Sequence, residues 1–169
     1  MLRSSPVARA VAALAAALAA LVATPGTASA QTTATQNLSF EVQAISQISV
    51  GGSPSPLVVS TATTGSAPNS VGTTGAWSVT TNETNKKVTA QLDVAMPSGL
   101  TLTAALTAPS GATSAGATTL TTSAANVVTG ISGVSASGLS IAYTLSATAA
   151  ASPTGATART VTYTLVTGP

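Results

Sequence analysis

The 169-residue sequence contains no cysteine and no histidine. The first absence rules out disulfides, so stability rests on packing alone. Together the two absences remove the usual zinc, copper and haem ligand sets. They also remove Ser-His-Asp and Cys-His nucleophile systems. Charge is scarce, at 5% of residues. Beyond residue 30 the charges are Lys86, Lys87 and Arg159 against Glu41, Glu83 and Asp93, which cancel. The net +2 of the whole chain therefore comes from Arg3 and Arg9. Such a chain has no electrostatic footprint for a phosphate backbone, so no nucleic-acid partner is expected. Aromatics are rarer still: Phe40, Trp77, Tyr143 and Tyr163 are all there are. An outer-membrane barrel needs aromatic girdles, and that reading is set aside. No G-x-S-x-G elbow, P-loop or dinucleotide fingerprint occurs.

What is present begins with an export signal. Arg3 and Arg9 precede the apolar run Val11 to Ala23, Pro25-Gly26 break it, and Ala28-Ser29-Ala30 forms a small-residue cleavage site. The run is shorter than the roughly 20 residues of a spanning helix, which disfavours an uncleaved anchor. Adjacent arginines are absent, so twin-arginine export is not indicated. The expected organisation is a cleaved signal over residues 1–30 and one domain over 31–169, with no membrane span in the mature chain. The expected location is secreted, extracellular or cell-surface, with periplasmic transit.

The domain is written in period-two alternation. Leu38, Phe40 and Val42 alternate with polar neighbours, and Ile48 and Val50 resume the pattern after a phase shift. Gly51 to Pro56 is turn chemistry, and Leu57-Val58-Val59 is a short strand candidate. Residues 61–75 read as a long loop around Pro68-Asn69. Ala76 to Thr81 is a strand with Trp77 and Val79 in phase. Asn82 to Asn85 reads as a hairpin loop leading into Lys87–Ala95, where Val88, Ala90, Leu92 and Val94 share a face. Further strands are expected over Leu100–Leu106, Thr118–Thr122, Asn126–Ile131, Gly138–Thr148 and Arg159–Thr167, with turns at 109–116 and 149–155. This is about eight or nine short strands with no helical periodicity. The expected fold is all-β: a single antiparallel β-sandwich of Ig-like or Greek-key type.

Candidate chemistry is thin. Lys86 and Lys87 sit at a turn, where an exposed lysine stays protonated and is no base for a Ser or Thr nucleophile. Glu83 and Asp93 are separated by most of a strand, too far for a glycosidase pair. Asn82, Glu83 and Asn85 offer oxygens for calcium, but an Asn-rich turn bonding its own backbone is the better reading. The aromatic rings fall on apolar faces and read as core rather than a sugar platform. Asn37-Leu38-Ser39 and Asn82-Glu83-Thr84 match the glycosylation sequon, a motif common by chance. No enzyme, cofactor or metal site is expected.

The signal, the Thr/Ser/Ala/Gly-rich strands and the alternating C-terminal run Thr160-Val161-Thr162-Tyr163-Thr164-Leu165 resemble bacterial fimbrial subunits and related surface sandwiches. Two departures stand out: many such subunits carry a disulfide, and here Val166-Thr167-Gly168-Pro169 follows the aromatic strand. The resemblance implies donor-strand exchange, in which an N-terminal extension completes the next subunit's sheet. Its candidate is residues 37–43 (NLSFEVQ), with Leu38, Phe40 and Val42 as assembly residues. The alternative is that this segment is the domain's own first strand. The expected function is a non-enzymatic structural or adhesive protein that self-associates or meets another surface protein. A monomeric module for polysaccharide or protein is the rival.

Overall fold

Strand formation follows the alternation wherever one face finds a partner sheet to bury against. The computed structural model describes residues 32–168, so the expected signal over 1–30 and its cleavage site before Gln31 lie outside the described residues. Contacts divide the chain after Glu41 into two units, and the sandwich lies in the second. No helix occurs among the described residues, and none is therefore long and apolar enough to cross a membrane.

The strands are β1 (Ser46–Gly51), β2 (Val71–Thr81), β3 (Lys86–Leu92), β4 (Leu100–Leu106), β5 (Thr113–Ser114), β6 (Thr118–Thr119), β7 (Ala125–Ile131), β8 (Val134–Ala147) and β9 (Val161–Thr167). They form two antiparallel sheets, ordered β1-β2-β8-β4-β6 and β5-β7-β3-β9. The all-β sandwich expected from the alternation is what the chain forms. Only β1 and β2 are consecutive strands in one sheet; every later connection crosses to the other sheet.

The core is the set of side chains that the period of two aims inward. Trp77 and Val79 come from β2, Leu102, Ala104 and Leu106 from β4, and Ile141 from β8. Opposite them lie Val88, Ala90 and Leu92 of β3, and Val127, Val128 and Ile131 of β7. Val127 and Val128 are adjacent yet both buried, because the β3–β7 ladder shifts register there. Each large side chain buried in this way is worth about 1.5–3 kcal/mol. Leu120 closes the core where the chain crosses between layers. Its N–H donates to Leu102 O at 2.9 Å, and the next carbonyl, Thr121 O, accepts from Leu92 N–H at 2.7 Å.

Several local expectations change. Residues 37–43 are not a strand; the first strand starts at Ser46. Leu57–Val59 is not a strand either, since Pro54 and Pro56 just before it cannot donate to a ladder. Asn82–Asn85 is not a hairpin: it carries the chain from β2 in one sheet to β3 in the other. β2 begins at Val71, inside the expected loop, because β8 is long enough to pair with it from there. β3 stops at Leu92, so Val94 is exposed rather than on the buried face. The expected turn at 109–116 contains β5, and the strand expected over Thr118–Thr122 is only β6.

Candidate functional site

Glu83, Lys86, Asp93 and Arg159 are engaged in local structure. At the β2–β3 crossing, Glu83 Oε2 accepts from Ser46 Oγ at 2.6 Å and pairs with Lys86 Nζ at 2.9 Å. The Ser46 hydroxyl and the Lys86 ammonium hold the Glu83 carboxyl below its ordinary pKa. Asn82 Oδ1 accepts from Ile45 N–H, and Asn82 Nδ2 donates to Gln43 O, each at 2.7 Å. Asn82 N–H also donates to Ile45 O at 3.1 Å. Asn82 Oδ1 and Glu83 Oε2, two of the oxygens a cation would use, thus already bond the protein. Asp93 lies at the other end of β3, where Oδ1 accepts from Thr160 N–H at 3.0 Å and Val94 N–H at 2.8 Å. The Thr160 bond is the main reason its carboxyl sits below the ordinary value. Glu83 and Asp93 are therefore kept at opposite ends of one strand. Among the described residues no group of three metal-ligating side chains comes together.

Two of the four aromatics line a cleft in which inner-face residues stay open. Trp77 is 1% exposed and cannot offer a ring to a ligand. Tyr143 on β8 and Tyr163 on β9 face each other across the layers, and Tyr163 OH donates to Tyr143 OH at 2.9 Å. Burial, then the Tyr143 hydroxyl, pushes the Tyr163 pKa above its ordinary value. Both rings line a cleft of about 580 Å³. It exists because β8 runs on past Tyr143 to Ala147, whereas β9 starts only at Val161 and β3 ends at Leu92. The longer sheet overhangs the shorter. Leu102, Ile141, Tyr143 and Leu145 form the floor, Val161 and Tyr163 one wall, and Val50–Val58 the other. A second hollow continues from Leu57 and Met96 toward Ala147 and Pro153. Arg159 is the sole charged residue lining either. Alternation places these side chains on an inner face, but sequence reading did not find the cleft. Its only signal was the proline pair, which keeps 51–58 from becoming a strand.

Leu38, Phe40 and Val42 lie outside the strands and are 83%, 90% and 79% exposed. A folded chain seldom leaves three large apolar side chains at alternate positions in water. The strand period is therefore present in the segment without a strand.

Comparison with protein-family models, with curated proteins and with solved structures finds no match to this chain.

Proposed function

We propose that this chain is a non-enzymatic structural or adhesive protein of the extracellular space or cell surface, which acts by contact and associates with copies of itself. The observation that carries the reading is the exposed alternation of Leu38, Phe40 and Val42, ahead of a sandwich whose first strand begins at Ser46. A segment with strand periodicity and no strand is suited to completing a sheet elsewhere, by main-chain bonds and alternate side chains. The balanced charge of residues 31–169 provides no long-range repulsion against association.

The test is the molar mass in solution of the protein beginning at Gln31, by size-exclusion chromatography with light scattering. Multimers are expected. Phe40→Asp and a deletion of residues 31–41, which spares the Gln43 carbonyl held by Asn82, are expected to leave folded monomers. A monomeric parent protein overturns self-association.

The cleft with its tyrosine pair favours a second reading, a monomeric binding module. Glycan capture by a monomeric parent protein, lost in Tyr143→Ala, is the outcome that selects it.

A further inference from the structure

We propose that the cleft holding Tyr143 and Tyr163 binds a single-chain amphiphile with an anionic head, of which a fatty acid is the simplest form. Its tail lies over Leu102, Ile141 and Leu145, and its head meets Arg159. The inference rests on the second reading, in which the cleft is a binding site, and names the ligand class; it does not depend on self-association.

The cleft is large enough and apolar enough for a tail. Its volume of about 580 Å³ lies within the roughly 300–1,000 Å³ of small-molecule sites. Leu102, Ile141 and Leu145 make its floor, and Val161 and Met96 also line it. Val50 and Val58 on the opposite wall are 53% and 65% exposed, and covering such surface is favourable. Met96, unbranched and polarizable, adapts to an irregular chain.

Polar groups are sparse where a ligand would sit. Tyr163 OH donates to Tyr143 OH, so the pair satisfies itself apart from the Tyr143 hydrogen. The hydroxyls of Ser53, Ser55, Thr157 and Thr160 belong to exposed positions on the rim. A sugar carries hydroxyls around its ring and would leave several unpaired against the floor, each at a desolvation cost. A hydrocarbon tail has none to leave.

The charge at the mouth sets the head group. Arg159 lines both the cleft and the hollow that continues from it, and no carboxylate lines either. Its Nε donates to Ala95 O at 3.3 Å and its Nη1 to Ala158 O at 2.9 Å. These bonds hold the guanidinium in place and leave Nη2 without a partner among the described residues. Asp93 turns its Oδ1 to the N–H groups of Thr160 and Val94 instead. A positioned guanidinium beside an apolar cavity favours an anionic head over a neutral or cationic one.

The test is calorimetric titration of the protein beginning at Gln31 with decanoate, decanol and decyltrimethylammonium, each below micelle formation. Decanoate is expected to bind about tenfold or more tightly than decyltrimethylammonium. Arg159→Gln is expected to weaken decanoate by a similar factor and to leave decanol unchanged. Thr73 lines the cleft and pairs with Tyr143 across β2 and β8, so Thr73→Trp fills the cleft and is expected to abolish binding of all three. Ala149→Trp, in the adjoining hollow, is the control and is expected to leave binding intact. Melting curves establish that each variant is folded. Equal binding of decanoate and decyltrimethylammonium, or a preference for decanoate that survives Arg159→Gln, overturns the proposal. Glycan capture lost in Tyr143→Ala, with no binding of decanoate, overturns the amphiphile and leaves the cleft standing as a binding site. Absence of both overturns the cleft reading with it.

Discussion

At the scale of residues, two kinds of position carry the most testable weight. Gly99 has φ +81°, and a Cβ there would lie 2.8 Å from Ala151 Cα and 2.9 Å from Ala151 N. Gly111 also has φ +81°, with nothing within 4 Å of its Cβ site. Gly111→Ala is expected to lose about 1–2 kcal/mol, the cost of a left-handed non-glycine residue. Gly99→Ala is expected to lose more, because backbone must move, and the difference in urea midpoints measures the contact with Ala151. The tyrosine pair is the second case. Removing the Tyr163 hydroxyl takes away a half-buried hydrogen bond worth about 0.5–1.5 kcal/mol. Its pH signature has a definite sign. Folding raises the Tyr163 pKa above its ordinary value of 10.0, so the unfolded chain loses this proton first. The contribution is fully present below that value and is lost as pH rises above it toward the folded value. Tyr163→Phe is therefore expected to be less stable than the parent at neutral pH and to show a shallower alkaline decline in denaturation midpoint.

At the scale of elements, the entry into β1 is held from outside the strand. Asn82 makes three bonds to the backbone of Gln43 and Ile45, which anchor the chain just before it pairs with β2. Asn82→Ala removes the two side-chain bonds and is expected to raise hydrogen exchange in β1 well above that in β3 or β4. An unchanged β1 would mean that its six-residue ladder with β2 is sufficient. The same crossing shows why strands were legible in the sequence and their connections were not. Alternation over Val88–Leu92, Leu100–Leu106 and Leu139–Leu145 reports which face is buried, and those strands formed. It is silent on which sheet a strand joins. Asn82–Asn85 has the composition of a hairpin loop and makes a crossing between layers instead. Leu38–Val42 has the alternation of a strand and pairs with no strand among the described residues, since periodicity states a capacity for burial rather than its fulfilment. The cleft was illegible for a related reason: it arises from the unequal reach of β8 and β9, which no local pattern encodes.

At the scale of the whole molecule, two consequences follow from its pairing and its charge. With one pairing between consecutive strands, nearly every ladder closes a long loop before it contributes. Refolding is expected in the millisecond-to-second range of non-local β proteins rather than in microseconds, as stopped-flow Trp77 fluorescence would read. The second consequence bears on assembly. Positive and negative side chains beyond residue 30 are equal in number and few, and the one ion pair among the described residues lies at the β2–β3 crossing, away from the cleft. Association through Leu38, Phe40 and Val42 would then draw on apolar burial and main-chain bonds, neither of which salt screens. Raising sodium chloride from about 0.05 to 0.5 M shortens the screening length severalfold and is expected to change the association constant by less than about fivefold. Sodium sulfate, which strengthens apolar burial by exclusion from protein surface, is expected to increase it. Dissociation by sodium chloride at constant fold, read by light scattering, would instead place assembly on charged surface and remove Leu38, Phe40 and Val42 as its cause.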